Sequence, residues 1–256
     1  MNSIEINQRL HNLYIDNIPS LFELIGKDDS KTENLSCPLL PYIFEDYAKA
    51  QNKILFIGKE THSWELINQY KHLPTDDFIN IVRSWYLSFD FNKDVKENKW
   101  RHNSAFWRFC HEVSKGLNPN LERGTEFKDF SREFVWLNQC RLDEDATTPT
   151  KPHFGKILKW SYQLLKQEIE ILKPDTIILM GDNHYWVNLE WMFEHELPNK
   201  LKSKPLGIGK YSESVNGIES SFFPSNINVF WVRHPERKSI EELAEMKRAI
   251  IEYTKK

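Results

Sequence analysis

Four short polar runs hold most of the groups in this chain that are positioned to hydrogen-bond or titrate in a pocket. They are Gly58-Lys59-Glu60-Thr61-His62-Ser63-Trp64, Asn138-Gln139-Cys140-Arg141, Gly181-Asp182-Asn183-His184 and Arg233-His234-Pro235-Glu236-Arg237. Each closes or follows an apolar run, and each brings a carboxylate, an amide, an imidazole or a cation. That set suits proton transfer and charge stabilisation at a polar bond. The scattered histidines and three cysteines, Cys37, Cys110 and Cys140, have no metal-ligand spacing, so neither a metal nor an iron-sulfur cluster is expected. Gly58-Lys59 lacks the surroundings of a phosphate-binding loop, because Lys53 stands where a glycine is needed and Glu60 where Ser or Thr is needed. No G-x-S-x-G elbow or H-E-x-x-H pair exists, which leaves an esterase or zinc protease without support.

The elements that must hold these runs are four near-continuous apolar segments: Lys53 to Gly58, Glu133 to Cys140, Thr176 to Gly181 and Asn228 to Val232. Strands buried on both faces of a parallel sheet read this way, rather than as an alternation. Helical periodicity is clearest over Ile157 to Leu172 and ends at Lys173-Pro174, just before the third strand. Further helices are expected at Ile4 to Asp16, Leu39 to Gln51, Phe106 to Gly116 and Ile240 to Tyr253, the last opened by Ser239 with Glu242 at capping-box spacing. Asn92 to Asn103 and Leu197 to Asn226 read as surface insertions. The expected fold is α/β, three-layered, with a central four-stranded parallel sheet flanked by helices. One domain is expected over residues 1–256, with residues 1–50 a helical N-terminal part packed on it. In such a sheet the ligand crevice lies beyond the carboxyl ends of the strands, where all four polar runs fall.

The order of these motifs resembles the uracil-DNA glycosylase superfamily: a strand followed by G-K-E-T-H, a second ending in Leu137-Asn138, a third led by Lys173-Pro174-Asp175 and ending in Gly181, and a fourth ending in His234-Pro235. The resemblance spans Lys53 to Arg237. It implies an enzyme that hydrolyses the bond between sugar and a flipped-out base in DNA; metal and cofactor are not expected, and a monofunctional mechanism is expected because no lysine sits at a strand end in the matched loops except Lys59. On that reading Glu60 holds the attacking water and offsets positive charge on the sugar, Asn138 reads the base edge, and His234 stabilises the departing base. Gly58, Lys59, His62, Trp64 and Arg141 are expected to help bind substrate, and Arg233, Arg237 and Lys238 to contact DNA. Trp64, Trp136, Phe106 and Trp107 are candidates to stack on the extruded base, although core packing is the commoner role of any one aromatic.

The chain departs from the family pattern at three places. Thr61 replaces the proline of the first motif, His62 stands where one branch has a tyrosine that rejects a C5 methyl group, and Glu236 replaces a small hydroxyl residue. These changes leave the base open: uracil, or a larger modified pyrimidine of the kind some phage genomes carry, in repair or in antiviral defence. Lys59 leaves lyase chemistry open through a Schiff base. Two other readings stand beside this one: an N-glycosidase acting on free nucleosides or nucleotides, and a non-catalytic module that binds damaged DNA.

Composition bounds these readings without choosing among them. Of 256 residues 40% are hydrophobic and 28% charged, sufficient for a core. The formal charge of −3 offers no global attraction to a polyanion, so DNA contact needs a local basic face. Two are candidates: Lys200, Lys202, Lys204 and Lys210, and Arg233, Arg237 and Lys238. The first residues, MNSIEINQRL, do not read as a signal sequence and no apolar run is long enough to span a bilayer, so a cytoplasmic monomer with no membrane partner is expected.

Overall fold

The computed structural model describes all residues except 27–32, 61–63, 89–103, 123–131, 146, 150–152, 198–199 and 256, together with the side chains of residues 60, 88 and 153. The expected insertion at Asn92 to Asn103 therefore lies outside the described residues. The chain is α/β, with a six-stranded, mostly parallel sheet flanked by helices. In chain order the main elements are α1 (Ser3–Ile25), α2 (Glu45–Lys49), β1 (Ile54–Glu60), α3 (Thr75–Ser88), α4 (Ala105–Leu117), β2 (Phe134–Cys140), α5 (His153–Leu172), β3 (Thr176–Gly181), α6 (Asn183–Trp191), β4 (Lys202–Pro205), β5 (Val215–Glu219), β6 (Asn228–Arg233) and α7 (Ile240–Thr254). The sheet order is β2-β1-β3-β6-β5-β4. β1 pairs with β3, and β3 with β6, in parallel. β5 is antiparallel to both β6 and β4.

The described sheet thus has six strands, not the four expected. The two additional strands come from the segment expected to be an irregular insertion. β4 is exposed at every residue, so no apolar pattern marks it; its backbone pairing with β5 defines it, and Pro205 is tolerated because the strand lies at a sheet edge.

The chain forms two compact units. The first comprises Met1–Ile43, Gly58–Phe89 and Trp136–Lys173. Its α1 packs on α5 and α3. Asn2 closes the start of α1 with a complete capping box, accepting from the Glu5 N–H at 2.9 Å while Glu5 accepts from the Asn2 N–H at 3.1 Å. The helix runs past the expected end at Asp16 and through Pro19. An interior proline costs about 3 kcal/mol, but burial of Ile18, Leu21 and Ile25 beyond the helix midpoint returns about 1.5–3 kcal/mol each.

Residues 39–51, expected to be one helix, are helical only over Glu45–Lys49. The preceding Pro38-Leu39-Leu40-Pro41 segment disfavours helical backbone before each proline. It is held extended by Leu39 N–H donating to Arg141 O (2.9 Å) and by Arg83 Nε donating to Pro41 O (3.1 Å).

The second unit comprises Phe44–Ile57, Asp90–Val135 and Pro174–Lys256. Asp175 joins the starts of three strands, because its carboxylate accepts from Lys53 N–H (2.8 Å), its N–H donates to Lys53 O, and its carbonyl accepts from Asn228 N–H (3.0 Å). α7 packs on α4, with Lys247 Nζ 3.0 Å from Glu112 Oε2. Ser239 caps α7 by accepting from Glu242 N–H, but the Glu242 carboxylate bonds the Ser214 hydroxyl (2.7 Å) instead of returning to the cap. Only half of the expected capping box forms, and the other half ties α7 to the turn before β5.

Candidate active site

In the second unit, β3 and β6 run in register to their carboxyl ends, where Gly181 is level with Arg233. The His234 N–H donates to Gly181 O at 2.8 Å, which carries the pairing one residue into the loop. Gly181 is required where it stands: a β-carbon would overlap the Trp231 ring and meet Tyr185 Cβ at 3.0 Å. Asp182 then caps α6, its Oδ1 accepting from the N–H groups of His184 (3.1 Å) and Tyr185 (3.2 Å). An acid at a helix start also complements the macrodipole. Asp182, Asn183, His184 and Arg233 line an open depression of about 450 Å³. It lies where a crevice at the ends of parallel strands is expected.

His234, half-buried and next along the chain from Arg233, is held from three sides. Its backbone is fixed by the bond to Gly181. Phe106, from the first turn of α4, stacks on its imidazole with ring centroids 5.6 Å apart and planes 20° from parallel. The Glu236 N–H approaches its Nδ1 at 3.4 Å. An imidazole that accepts at Nδ1 carries its hydrogen on Nε2 when neutral. The ring is then a fixed Nε2–H donor, suited to an oxygen on which negative charge develops.

Phe106 was one of four candidates for base stacking, and the structure gives it the imidazole as its partner. Nothing in the sequence spacing signals this, since the two rings come from distant segments and meet only through the fold.

The cations of the same loop differ in their surroundings. Arg233 is half-buried and 3.6 Å from Glu213. Arg237 is exposed, with a left-handed backbone (φ 61°) at the loop tip, and Lys238 is half-buried. Glu236 is exposed, and among the described residues it makes no ion pair with Arg237.

The first unit holds the other expected site residues. Gly58 is buried and Lys59 half-buried in the last turns of β1; the side chain of Glu60 and all of His62 lie outside the described residues. Asn138 is buried in β2, beside Gln139, whose Oε1 accepts from the Tyr162 hydroxyl at 3.0 Å. Trp64 is half-buried and edge-on to Trp85 (6.0 Å) and Trp136 (6.3 Å); Trp136 in turn stacks on Tyr86 at 4.9 Å and 17°. These rings pack on one another.

Arg141, expected to touch substrate, is fully buried. Its guanidinium pairs with Glu168 of α5 and donates to Leu39 O (2.9 Å), while the Tyr14 hydroxyl donates to Glu168 Oε1 (2.9 Å). A guanidinium so enclosed ties α1, α5 and the residue 39 segment together, and we assign it that structural part. Charge at the end of a strand looks the same in sequence whether the next side chain turns outward or into the core, so only the fold separates the two.

Among the described residues no group of His, Cys, Asp and Glu could hold a metal ion, and no helix is long and apolar enough to cross a membrane. No protein-family model matches the chain, and no curated protein matches it.

Proposed function

We propose that this chain is a DNA N-glycosylase that hydrolyses the bond between deoxyribose and an extruded uracil or modified pyrimidine, leaving an abasic site. The observation that carries the reading is the arrangement at His234: an imidazole at the end of a parallel strand, accepting a backbone N–H at Nδ1 and braced by Phe106, one residue beyond the Arg233 that lines an open depression. Breaking the glycosidic bond leaves electron density on the pyrimidine oxygen, and a pre-set Nε2–H donor lowers that barrier without a reorganisation cost. In this reading Glu60 holds the attacking water and Asn138 reads the base edge, roles that come from the family resemblance.

The family resemblance implies a polymeric substrate rather than a free nucleoside, with contacts along the flanking strand supplying binding energy. The chemistry needs a dry pocket around the extruded base, so DNA itself must complete the enclosure.

The test is mass spectrometry of bases released from duplexes carrying uracil or modified pyrimidines, comparing the parent with His234→Ala and Glu60→Gln. Base release by the parent, lowered about 10²–10³-fold in His234→Ala under single-turnover conditions, is the expected result. No release from any duplex by the parent sinks the enzymatic reading. Retained binding without release would identify a binding module, and release from free nucleosides alone would identify a nucleoside hydrolase.

A further inference from the structure

We infer that the exposed edge strand β4, with the residues leading into it, is a docking surface for the phosphodiester backbone of double-stranded DNA flanking the reactive nucleotide. The inference rests on the glycosylase reading for where the DNA lies, and on the second unit alone for its geometry. Lys202 and Lys204 alternate with Ser203, so the two ammonium groups share one face of the strand. Lys200 continues the spacing of two on the incoming segment. All three lysines are exposed. Two residues of extended chain advance about 7 Å, a step comparable to that between successive phosphates on one strand.

Among the described residues these lysines form no ion pair. Among the described residues no carboxylate lies within ion-pairing distance of Lys200, Lys202 or Lys204, although Glu219 is level with Lys202 on β5. Four acids elsewhere in the second unit have partners of their own. Glu213 pairs with Arg233, Glu242 accepts from the Ser214 hydroxyl, and Glu245 and Glu252 both pair with Arg248. A protein with a formal charge of −3 that binds a polyanion needs a face of this kind.

The register connects this face to the depression. β5 is antiparallel to both neighbours, so β4 runs in the same direction as β6, and Lys204, Gly217 and Phe230 form one row across the three strands. Arg233 is three residues further along β6. The offset is therefore about 10 Å along the strands and about 10 Å across them, or about 14 Å in all. At about 7 Å between successive phosphates, that distance is about two steps along a DNA strand. A duplex with its reactive nucleotide at the His234 loop would bring the backbone about two nucleotides away over Lys204, with Lys202 and Lys200 further along.

Lysines on an edge strand also guard against edge-to-edge association, and the experiment separates the two roles. Binding of the full chain to a fluorescent duplex of about 20 base pairs with one central uracil would be measured between about 50 and 200 mM salt, for the parent and for Lys200→Gln/Lys202→Gln/Lys204→Gln. The expected result is a slope of log K against log salt reduced in magnitude by about 2–3, with the circular dichroism of the variant unchanged. An unchanged slope in a folded variant overturns the inference, and self-association on sizing would then assign the lysines to edge protection. Should the parent bind with a slope that depends on the lysines yet release no base, the surface stands and the glycosylase reading falls. Should it release base with a slope indifferent to the lysines, the reverse holds.

Discussion

Gly181 and Arg141 both govern what the strand ends present. Gly181 allows the Trp231 ring to close over the end of β3 while the backbone turns into α6. Gly181→Ala forces that ring or the α6 start to move, and overpacking of this sort costs about 1–3 kcal/mol. A lower thermal midpoint, with an altered near-ultraviolet circular dichroism of the tryptophans, is the expected outcome. Arg141 is the opposite case, a charge held inside. Arg141→Met leaves the Glu168 carboxylate buried without its cation, and an unfolding titration in urea is expected to show a loss of about 3–5 kcal/mol. The double variant Arg141→Met/Glu168→Leu is expected to recover part of that loss. What then remains unpaired is the Tyr14 hydroxyl and the Leu39 carbonyl, which cost less to bury than a charge.

At the scale of elements, the legibility of the sequence follows how each element is stabilised. β1, β2, β3 and β6 were all foreseen to within two residues, because strands packed on both faces need uninterrupted apolar side chains and the sequence carries them openly. α5 was readable for the same reason, its apolar spacing being long and ended by Lys173-Pro174. β4 and β5 were not readable. Their reason to exist is a backbone ladder, and a ladder makes no demand on side-chain type. The helix expected over residues 39–51 failed because two prolines and two hydrogen bonds to distant partners, Arg141 and Arg83, outweigh local helical periodicity. For the candidate site the position of His234 was foreseen, while its bracing by Phe106 was not; strand ends can be read locally, but a stacking partner from another helix cannot. The role of Arg141 was misjudged on the same ground.

Taken whole, the molecule has an alkaline limit built into one of its units. Tyr14, Tyr86 and Tyr162 all belong to the first unit, and burial raises the proton affinity of each phenol, well above the usual value for Tyr14 and Tyr162. Since the folded affinity exceeds the unfolded one, the folded state keeps protons that the unfolded chain loses above about pH 10. Stability from this source is therefore complete below that pH and falls as pH rises, by up to about 1.4 kcal/mol per pH unit for each tyrosine. Absorbance of the tyrosinate should appear for these three residues only together with loss of circular dichroism; gradual titration of all nine tyrosines with the fold intact would contradict it.

The chain changes unit after Ile43, Ile57, Phe89, Val135 and Lys173, twice in the middle of a strand. Neither unit is a continuous stretch of the gene. Recombination that swapped one of them into another protein would have to splice at five places at once, and two of the seams would cut through hydrogen-bonded strands.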